Sequence, residues 1–452
     1  MSYSIEKITQ VVSAKRYGDT AASISFLLTD SRSLCFPEET LFFALHTDRN
    51  DGHHYIPELY RRGVRNFVVE NVPNNFSDLY KHANFLKVGN TLAAFQQLAT
   101  FHRKAFNIPI VGITGSNGKT MVKEWLSQLF SYDMNVTRSP KSYNSQIGVP
   151  LSLWLLNENS QIGLIEAGIS KVGEMQALHD IIMPTVGVLT SIGAAHQENF
   201  SSLKEKCNEK LLLFKGTQAL IYRIDDKIAA KCVAETCYDG ELLAWSEYDT
   251  TAAFYVERIE KSNTTSTIHY IWKHSTHGNF ILPFIDDASI SNCITCAVVA
   301  LYFGMQPEVL AQRMVKLEPV AMRLEVKEGQ HGCTLINDSY NSDINSLNIA
   351  LDFMNRRPDQ KHRERTLILS DIYQSGETEE QLYAEVAAMV KERGIKKFIG
   401  VGKALNRQKQ AFGSLKDKFF FENTADFIES NVFKTLHNEV ILLKGARVFD
   451  FD

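Results

Sequence analysis

The sequence contains no apolar run long enough to span a membrane, because a transmembrane helix needs about 20 consecutive apolar residues. Its first ten residues do not combine a basic segment with a following apolar segment, so we expect no signal peptide. Low-complexity tracts and short internal repeats are also absent from the sequence. We therefore expect a globular protein of the cytoplasm that is not inserted in a membrane.

Charge and cysteine content argue against two further classes. With 48 basic and 52 acidic residues the net charge is −4, and no long basic run is present, which disfavours nucleic-acid binding. The seven cysteines, an odd number, are scattered as expected for a reduced cytosolic protein. Cys293 and Cys296 have the spacing of a redox or zinc pair, but they lie in an apolar run without a second pair. We expect them to pack in the core.

The central feature of the sequence is a glycine-rich stretch, Gly112-Ile-Thr-Gly-Ser-Asn-Gly-Lys-Thr120, between a predicted strand and a predicted helix. The strand is the β-branched apolar run at 109–113, and the residues after 120 carry apolar side chains at helical spacing. Glycines allow backbone N–H groups to face phosphate oxygens, and the helix N-terminus adds partial positive charge. The stretch therefore predicts a nucleotide phosphate site.

Lys119 and Thr120 define the chemistry of this stretch. A lysine in this position can reach the outer phosphates, and the threonine hydroxyl can bind Mg²⁺. The strict motif has a glycine at position 113, where this chain has Ile113, so Gly112 and Gly115 give a variant spacing. The alternative is an ordinary glycine-rich turn, which the Gly-Lys-Thr sequence before a helix disfavours.

Two polar residues follow other predicted strands of the same region. Glu166 ends the strand at 162–166, and His196 comes shortly after the strand at 185–190. Ligands of open α/β sheets bind outside the carboxyl ends of the strands, so Glu166 is a candidate Mg²⁺ ligand and His196 a candidate at the same edge. By spacing alone, a lone histidine is more often structural, and Lys210 on the next predicted helix would be a solvated surface residue.

The alternation of strands and helices predicts an α/β fold with three domains. We expect a small α/β domain at 1–100 and a central P-loop domain at 101–317, in which antiparallel strands at 251–285 flank a parallel sheet. A Rossmann-like domain at 318–452 follows a hinge at Glu318-Pro319. The chain ends almost directly after its last predicted strand, which suggests that it is part of a longer polypeptide.

Eight stretches taken together resemble the Mur ligases, ATP-dependent amide-forming enzymes of peptidoglycan precursor synthesis. They run in family order along nearly the whole chain. The stretches are Thr29-Asp-Ser-Arg32, Asp51-Gly-His53, the glycine-rich stretch, Asn144-Ser-Gln-Ile-Gly-Val-Pro150, Glu166-Ala-Gly168, Ala195-His196, Asn337-Asp-Ser-Tyr-Asn341 and Leu443-Lys-Gly-Ala-Arg447.

Within the family, the resemblance is to members that join D-Ala-D-Ala to UDP-MurNAc-tripeptide through an acyl phosphate. It implies an N-terminal domain that holds the UDP end of the substrate, a central domain that binds ATP and Mg²⁺, and a C-terminal domain that brings the dipeptide. Some relatives are fused to an alanine racemase, which would lie outside these residues. Two alternatives stay open: a related Mur or folylpolyglutamate-type ligase that adds a single amino acid, and a nucleotide-switched binding protein.

The resemblance also implies roles for individual residues. The catalytic residues would be Lys119, His196, Lys210 and Asn341, and the Mg²⁺ ligands Thr120, Glu166 and His196. The nucleotide would be bound by Gly115, Ser116, Asn117, Gly118, Lys119, Thr120, Asn292, Arg323 and Asp338, and the substrate by Ser31, Arg32, Asn144 and Ser145. Lys210 falls where the family carries a carbamylated lysine, whose anionic oxygens suit a hard cation.

The sequence departs from the family pattern at three places. Ala288 and Ser289 occupy the positions of a usual His-Asn pair. Ser370-Asp-Ile372 replaces Gly-Asp-Met, and Lys444-Gly-Ala-Arg447 replaces Lys-Gly-Ser-Arg. We therefore expect some contacts to the adenine and to the substrates to differ, while the phosphate chemistry is retained.

Overall fold

The computed structural model describes residues 1–47, 50–193, 199–356, 359, 363–373 and 378–451. They form two compact units. The first contains Met1–Gly112, Asp133–Ile169 and Glu174–Thr185, and the second contains Ile113–Tyr132, Ser170–Gly173 and the described residues from Val186 onward. Among these residues, no helix is both long and apolar enough to cross a bilayer. The domain boundaries at 100 and 317 stay a prediction.

The first part of the chain forms a small α/β arrangement. Its strands are β1 (Tyr3–Ser4), β2 (Lys15–Tyr17), β3 (Ser23–Ile24), β4 (Phe26–Leu28), β5 (Thr40–Phe43), β6 (His46–Thr47), β7 (Asn50–Asp51), β8 (Asn66–Val69) and β9 (Asn84–Lys87), and its helices are α1 (Ile5–Val11), α2 (Ile56–Arg61), α3 (Phe76–Leu79) and α4 (Thr91–Arg103). Five strands form a sheet in the order β2-β9-β8-β5-β4, in which only the pairing of β2 is antiparallel. Strands β5 and β8 are buried at every position, as expected for inner parallel strands.

The middle of the chain forms a nine-stranded sheet in the order β11-β12-β10-β13-β14-β15-β16-β17-β18. Its strands are β10 (Ile110–Thr114), β11 (Val136–Arg138), β12 (Ile162–Glu166), β13 (Val186–Leu189), β14 (Ala219–Arg223), β15 (Glu241–Ser246), β16 (Phe254–Lys261), β17 (Ser266–Trp272) and β18 (Thr276–Leu282). The helices are α5 (Lys119–Phe130), α6 (Gly148–Leu153), α7 (Glu174–Ile182), α8 (Leu203–Leu211), α9 (Lys227–Glu235), α10 (Asp287–Tyr302) and α11 (Pro307–Met314). Strands β16, β17 and β18 pair antiparallel, which confirms the predicted antiparallel side strands.

The last part of the chain forms a six-stranded sheet in the order β19-β20-β24-β21-β22-β23. Its strands are β19 (Glu325–Glu328), β20 (Thr334–Asp338), β21 (Glu364–Ser370), β22 (Lys397–Val401), β23 (Asp417–Phe421) and β24 (Glu439–Lys444), and its helices are α12 (Ile344–Arg356), α13 (Glu379–Glu392), α14 (Lys403–Arg407), α15 (Thr424–Glu429) and α16 (Asn431–Lys434). Only the edge strand β19 pairs antiparallel. Separate apolar clusters include Leu351 and Phe427, so both faces of the sheet are covered, as in a doubly wound domain. The predicted α/β fold class is confirmed.

Candidate active site

At two positions of the glycine-rich stretch, the backbone conformation is one that only glycine adopts without strain. Gly115 has φ +148° and Gly118 has φ +88°, both in the region that disfavours side chains. A β-carbon on Gly115 would lie 1.9 Å from Thr190 Oγ1, and one on Gly118 would lie 2.4 Å from Asn292 Oδ1. The predicted loop between β10 and α5 is therefore formed, with neighbouring side chains packed directly against its glycines.

The segment that follows β13 holds this phosphate loop in shape. Thr190 Oγ1 donates to the Asn117 carbonyl at 2.6 Å, and the Ser116 amide donates to the Ser191 carbonyl at 2.7 Å. The Gly193 amide donates to Ser116 Oγ at 2.9 Å. The segment 190–193 therefore forms one wall of the loop, and it leads directly to the predicted ligand His196, which lies outside the described residues.

Lys119 extends back over the loop at the start of α5. Its Nζ donates to the Gly115 carbonyl at 2.7 Å and to the Ser116 carbonyl at 3.1 Å. Thr120 is the next residue in the first helical turn. An anion in the loop would thus meet the lysine ammonium and the positive end of the α5 dipole together.

Lys210 is buried on α8, with only 2% of its surface exposed. The surface location expected from spacing alone is therefore wrong. Burial lowers the pKa of the Lys210 ammonium well below its usual value, and the positive charges of Lys119 and Lys206 lower it further. Lys119 of the glycine-rich loop is thus near enough to Lys210 for its charge to act on the Lys210 ammonium.

Two more charged residues of α8, Lys206 and Glu209, are buried, and the sequence analysis missed both. The available signal was their spacing. Residues at positions i, i+3 and i+4 share one face of a helix, so Lys206 and Glu209 accompany Lys210 on the face turned away from solvent.

In the first unit, Glu166 is fully buried at the carboxyl end of β12. Its Oε2 accepts a hydrogen bond of 3.4 Å from Asn144 Nδ2, so two of the predicted site residues are brought together. Ser145 instead supports the start of α6, where its Oγ accepts from the Gly148 amide at 3.1 Å. The structure thus gives Ser145 a structural contact, and its predicted contact with substrate stays a prediction.

Ser31 and Arg32 lie on the surface of the first unit. The Arg32 side chain is 87% exposed and forms an ion pair of 2.6 Å with Asp30, which holds the pKa of that carboxyl below its ordinary value. The Ser31 carbonyl accepts from Arg62 Nη1 at 2.7 Å. The exposed guanidinium is accessible to an anionic ligand, which would compete with Asp30 for it.

In the same unit, the side chains of the Asp51-Gly-His53 stretch contact each other and the segment that follows β8. His53 Nδ1 lies 2.6 Å from Asp51 Oδ1, while His53 Nε2 accepts from the Glu70 amide at 3.1 Å. A β-carbon on Gly52 would lie 2.7 Å from the Leu45 amide nitrogen, so the close approach requires glycine. Asp51, His53 and Glu70 line a cavity of about 680 Å³.

Asp338 and Asn341 are joined by one buried lysine in the C-terminal sheet. Lys444 Nζ donates to Asp338 Oδ2 and to the Asn341 carbonyl, both at 2.7 Å. Lys444 is fully buried, and a charge in that position needs such partners. The two family stretches at 337–341 and 443–447 therefore form one structural group.

Arg323 borders a cavity of about 480 Å³ in the second unit. Its guanidinium lies 4.4 Å from the centroid of the Tyr340 ring, a cation–π contact. The walls of the cavity include Trp125, Phe284, Asp286, Ser289, Pro319 and Arg323. Ser289, at one of the positions where the family has His-Asn, thus faces a largely apolar cavity, whereas the Asn292 carboxamide lies against Gly118.

Comparison with known proteins identifies the family. The profile of the Mur ligase middle domain matches residues 113–300, and the profile of the Mur ligase glutamate ligase domain matches residues 322–447. A UDP-N-acetylmuramoyl-tripeptide–D-alanyl-D-alanine ligase of Bacillus subtilis is 28% identical over 385 residues, which are 83% of this chain and 79% of the relative.

Two solved structures share the fold. The UDP-N-acetylmuramoylalanyl-D-glutamyl-2,6-diaminopimelate–D-alanyl-D-alanyl ligase of Acinetobacter baumannii superposes with a TM-score of 0.82 at 20% identity, covering 99% of this chain and 96% of that one. The MurF ligase of Thermotoga maritima, in complex with ADP, has a TM-score of 0.75 at 20% identity and 94% coverage of both chains. Since both profiles match in family order and the fold agrees over nearly the whole length, the chain belongs to the Mur ligase family.

Proposed function

We propose that this chain is an ATP-dependent ligase that joins D-Ala-D-Ala to the carboxylate of UDP-MurNAc-tripeptide in cytoplasmic peptidoglycan synthesis. The names of its relatives support this reaction. The observation that carries the proposal is the buried Lys210 near Lys119 of the phosphate loop. A nucleotide-switched binding protein needs a phosphate loop, but it has no need for a lysine buried beside it.

The environment of Lys210 favours a carbamate. Burial and the nearby positive charges lower the pKa of the Lys210 ammonium, which increases the fraction of neutral amine, and a neutral amine can add CO₂. The addition turns the neutral amine into an anion and releases a proton, so the neighbouring charges of Lys119 and Lys206, which repel an ammonium at this position, attract the carbamate. The charges around Lys210 therefore support the carbamylated form that the family likeness suggests.

The donor set also suits Mg²⁺. The Thr120 hydroxyl, the buried Glu166 carboxylate and a Lys210 carbamate are hard oxygen donors, and His196 would add a nitrogen. The Asn144 amide, on one carboxylate oxygen of Glu166, would orient that ligand. When bound, the ion would neutralise charge on the transferring phosphoryl group.

The proposed reaction has two steps. A tripeptide carboxylate oxygen attacks the γ-phosphorus of ATP, which forms an acyl phosphate and releases ADP. The amine of D-Ala-D-Ala then attacks the acyl carbon, and phosphate and a proton leave as the amide forms. Lys119 would exchange its bonds to the carbonyls of Gly115 and Ser116 for bonds to the outer phosphates.

The remaining assignments follow the geometry of each region. The cavity beside Trp125 and Phe284 can take the adenine, because apolar and aromatic walls suit a nucleobase and α5 also carries the phosphate loop. Arg323 would border the nucleoside. In the first unit, Ser31 and Arg32 would contact the UDP end of the substrate, and the C-terminal sheet would bring the dipeptide near Asn341.

The proposal is tested by measuring phosphate release from ATP in four mixtures, with UDP-MurNAc-tripeptide and D-Ala-D-Ala each present or absent. Release should require both substrates, and K210M should lose turnover while retaining most of its ATP affinity. Release that needs neither substrate would contradict the ligase assignment. Replacing the dipeptide by single amino acids separates this enzyme from ligases that add one residue.

A further inference from the structure

Helix α8 carries two buried charged side chains in the turn that precedes Lys210. Lys206 is 1% exposed and Glu209 is 7% exposed. Taking a charge out of water is unfavourable unless partners compensate, so each side chain must be held by specific contacts. Those contacts show what each side chain does for the helix.

Lys206 connects α8 to the wall of the phosphate loop. Its Nζ donates to the Gly193 carbonyl at 2.6 Å and lies 5.9 Å from the centroid of the Phe200 ring. Gly193 is also bonded to Ser116 of the phosphate loop. Ser116 Oγ lies 2.9 Å from the Gly193 amide nitrogen and 2.9 Å from the Gly193 carbonyl oxygen. One residue, Gly193, thus links α8 to the loop.

Glu209 makes the corresponding connection to the loop after β12. Its Oε1 accepts from the Gly173 amide at 2.8 Å. Lys206 and Glu209 therefore attach one face of α8 to two different loops, and Lys210 lies on that same face. Such a two-point attachment fixes both the axial position and the rotation of the helix.

The charges that face Lys206 come from three elements. Burial lowers the pKa of Lys206 most, and the charge of Lys119 on α5 lowers it further. Asp343, just before α12, raises it, and the pKa is about 8. Lys210 is the charged neighbour on its own helix. The ammonium form needed for the bond to Gly193 therefore persists at neutral pH.

We propose that Lys206 is a positioning residue that sets the location of Lys210 relative to the phosphate loop. Its bond to Gly193 determines the separation of α8 from the loop, and hence where a Lys210 carbamate would lie relative to a nucleotide and Mg²⁺ bound at the loop. The inference rests on the proposed ligase function. Residues that orient metal ligands from behind typically change metal affinity or activity by about 10–100-fold when they are replaced.

The test compares K206M, which removes the donor, with K206R, which keeps a charged donor. K204M is the matched control on the same helix, since Lys204 is half-exposed and pairs with Glu235 at 2.8 Å. For each protein we would measure kcat, the Mg²⁺ concentration for half-maximal rate, the affinity for ADP without Mg²⁺, and amide exchange at 191–193.

K206M should lower kcat about 10–100-fold, raise the Mg²⁺ requirement and speed amide exchange at 191–193 in metal-free protein, with ADP affinity changed less than about threefold. K206R should recover part of each effect, and K204M should match the wild type. If K206M is unstable, K206Q, whose shorter side chain cannot reach Gly193, replaces it with the same expectations.

Two results would overturn the inference. One is wild-type kcat and Mg²⁺ dependence in K206M. The other is a loss of metal-free ADP affinity as large as the loss of turnover, which would make Lys206 a direct phosphate ligand. Failure of the ligase proposal is distinguishable, because the wild type itself would then show no turnover that depends on both substrates.

Discussion

The buried ionisable side chains of this chain differ in the partners that offset the free-energy cost of burying them. Lys444 has a carboxylate partner, Asp338, whereas the hydrogen-bond partners of His102 among the described residues are neutral. His102 Nε2 lies 2.9 Å from the Leu156 carbonyl and its Nδ1 lies 2.9 Å from the Tyr3 hydroxyl. These contacts satisfy a neutral imidazole, and burial lowers the pKa of His102 from 6.5 to about 4.

This pKa predicts an acid-sensitive first unit. Between pH 6.5 and pH 4 the unfolded chain binds the proton more readily than the folded chain, so stability falls as the pH decreases through this range. The full loss is up to about 3 kcal/mol, and it is complete below the folded-state pKa. Urea denaturation at several pH values measures it.

The variant H102Q is the control, because glutamine keeps a donor for the Leu156 carbonyl and does not titrate. Its stability should depend less on pH than that of the wild type in this range. Identical pH profiles for the two proteins would show that His102 does not govern the acid response.

At the scale of secondary-structure elements, Asp371 joins the end of β21 to the start of α14. Its carboxylate accepts from the amides of Ala404 and Leu405 at 3.0 and 2.8 Å. A β-carbon on Gly402 would lie 2.2 Å from the Asp371 Cγ, so glycine is required beneath the carboxylate. The aspartate of the Ser370-Asp-Ile372 stretch is therefore a helix cap in this structure.

The variant D371A should destabilise the C-terminal sheet by about 2 kcal/mol, because it leaves two buried amide groups without their acceptor. Hydrogen exchange of Ala404 and Leu405 should accelerate, and the thermal midpoint should fall. D417A, at an exposed position of β23, is the control. Unchanged exchange at these two amides in D371A would contradict the capping role.

Elements were predicted well where a local pattern sufficed. Fully buried parallel strands such as β10 and β12 are continuous apolar runs, and α5 presents one apolar face. A boundary such as the end of α8 at Leu211 is harder to predict, since Leu212–Phe214 follows it as a 3₁₀ turn whose apolar spacing continues that of the helix.

At the scale of the whole molecule, the two proposed substrates should protect different units. The phosphate loop and the segment 190–193 belong to the second unit, while Ser31 and Arg32 belong to the first. ADP with Mg²⁺ should therefore slow amide exchange at 115–120 and 190–193, and UDP-MurNAc should slow it around Ser31. A ligand at 100 times its Kd stabilises the bound state by about 2.7 kcal/mol, which such a measurement resolves.

The comparison needs each ligand alone and both together, analysed by peptide-resolved mass spectrometry. Protection of the phosphate loop by UDP-MurNAc alone would contradict the assignment of the UDP end to the first unit. An unrelated nucleotide sugar at the same concentration controls for non-specific effects.

The sequence by itself determined the α/β fold class and the glycine-rich loop between β10 and α5, because both depend on short-range chemistry. Glycines at 115 and 118 permit positive φ, and Lys119 and Thr120 follow at fixed spacing. Only the tertiary structure decided that Lys206 and Lys210 are buried and that Asp371 caps α14. Burial and capping depend on partners far along the chain, such as Gly193 for Lys206 and Ala404 for Asp371, and no local pattern specifies which distant residue will supply the contact.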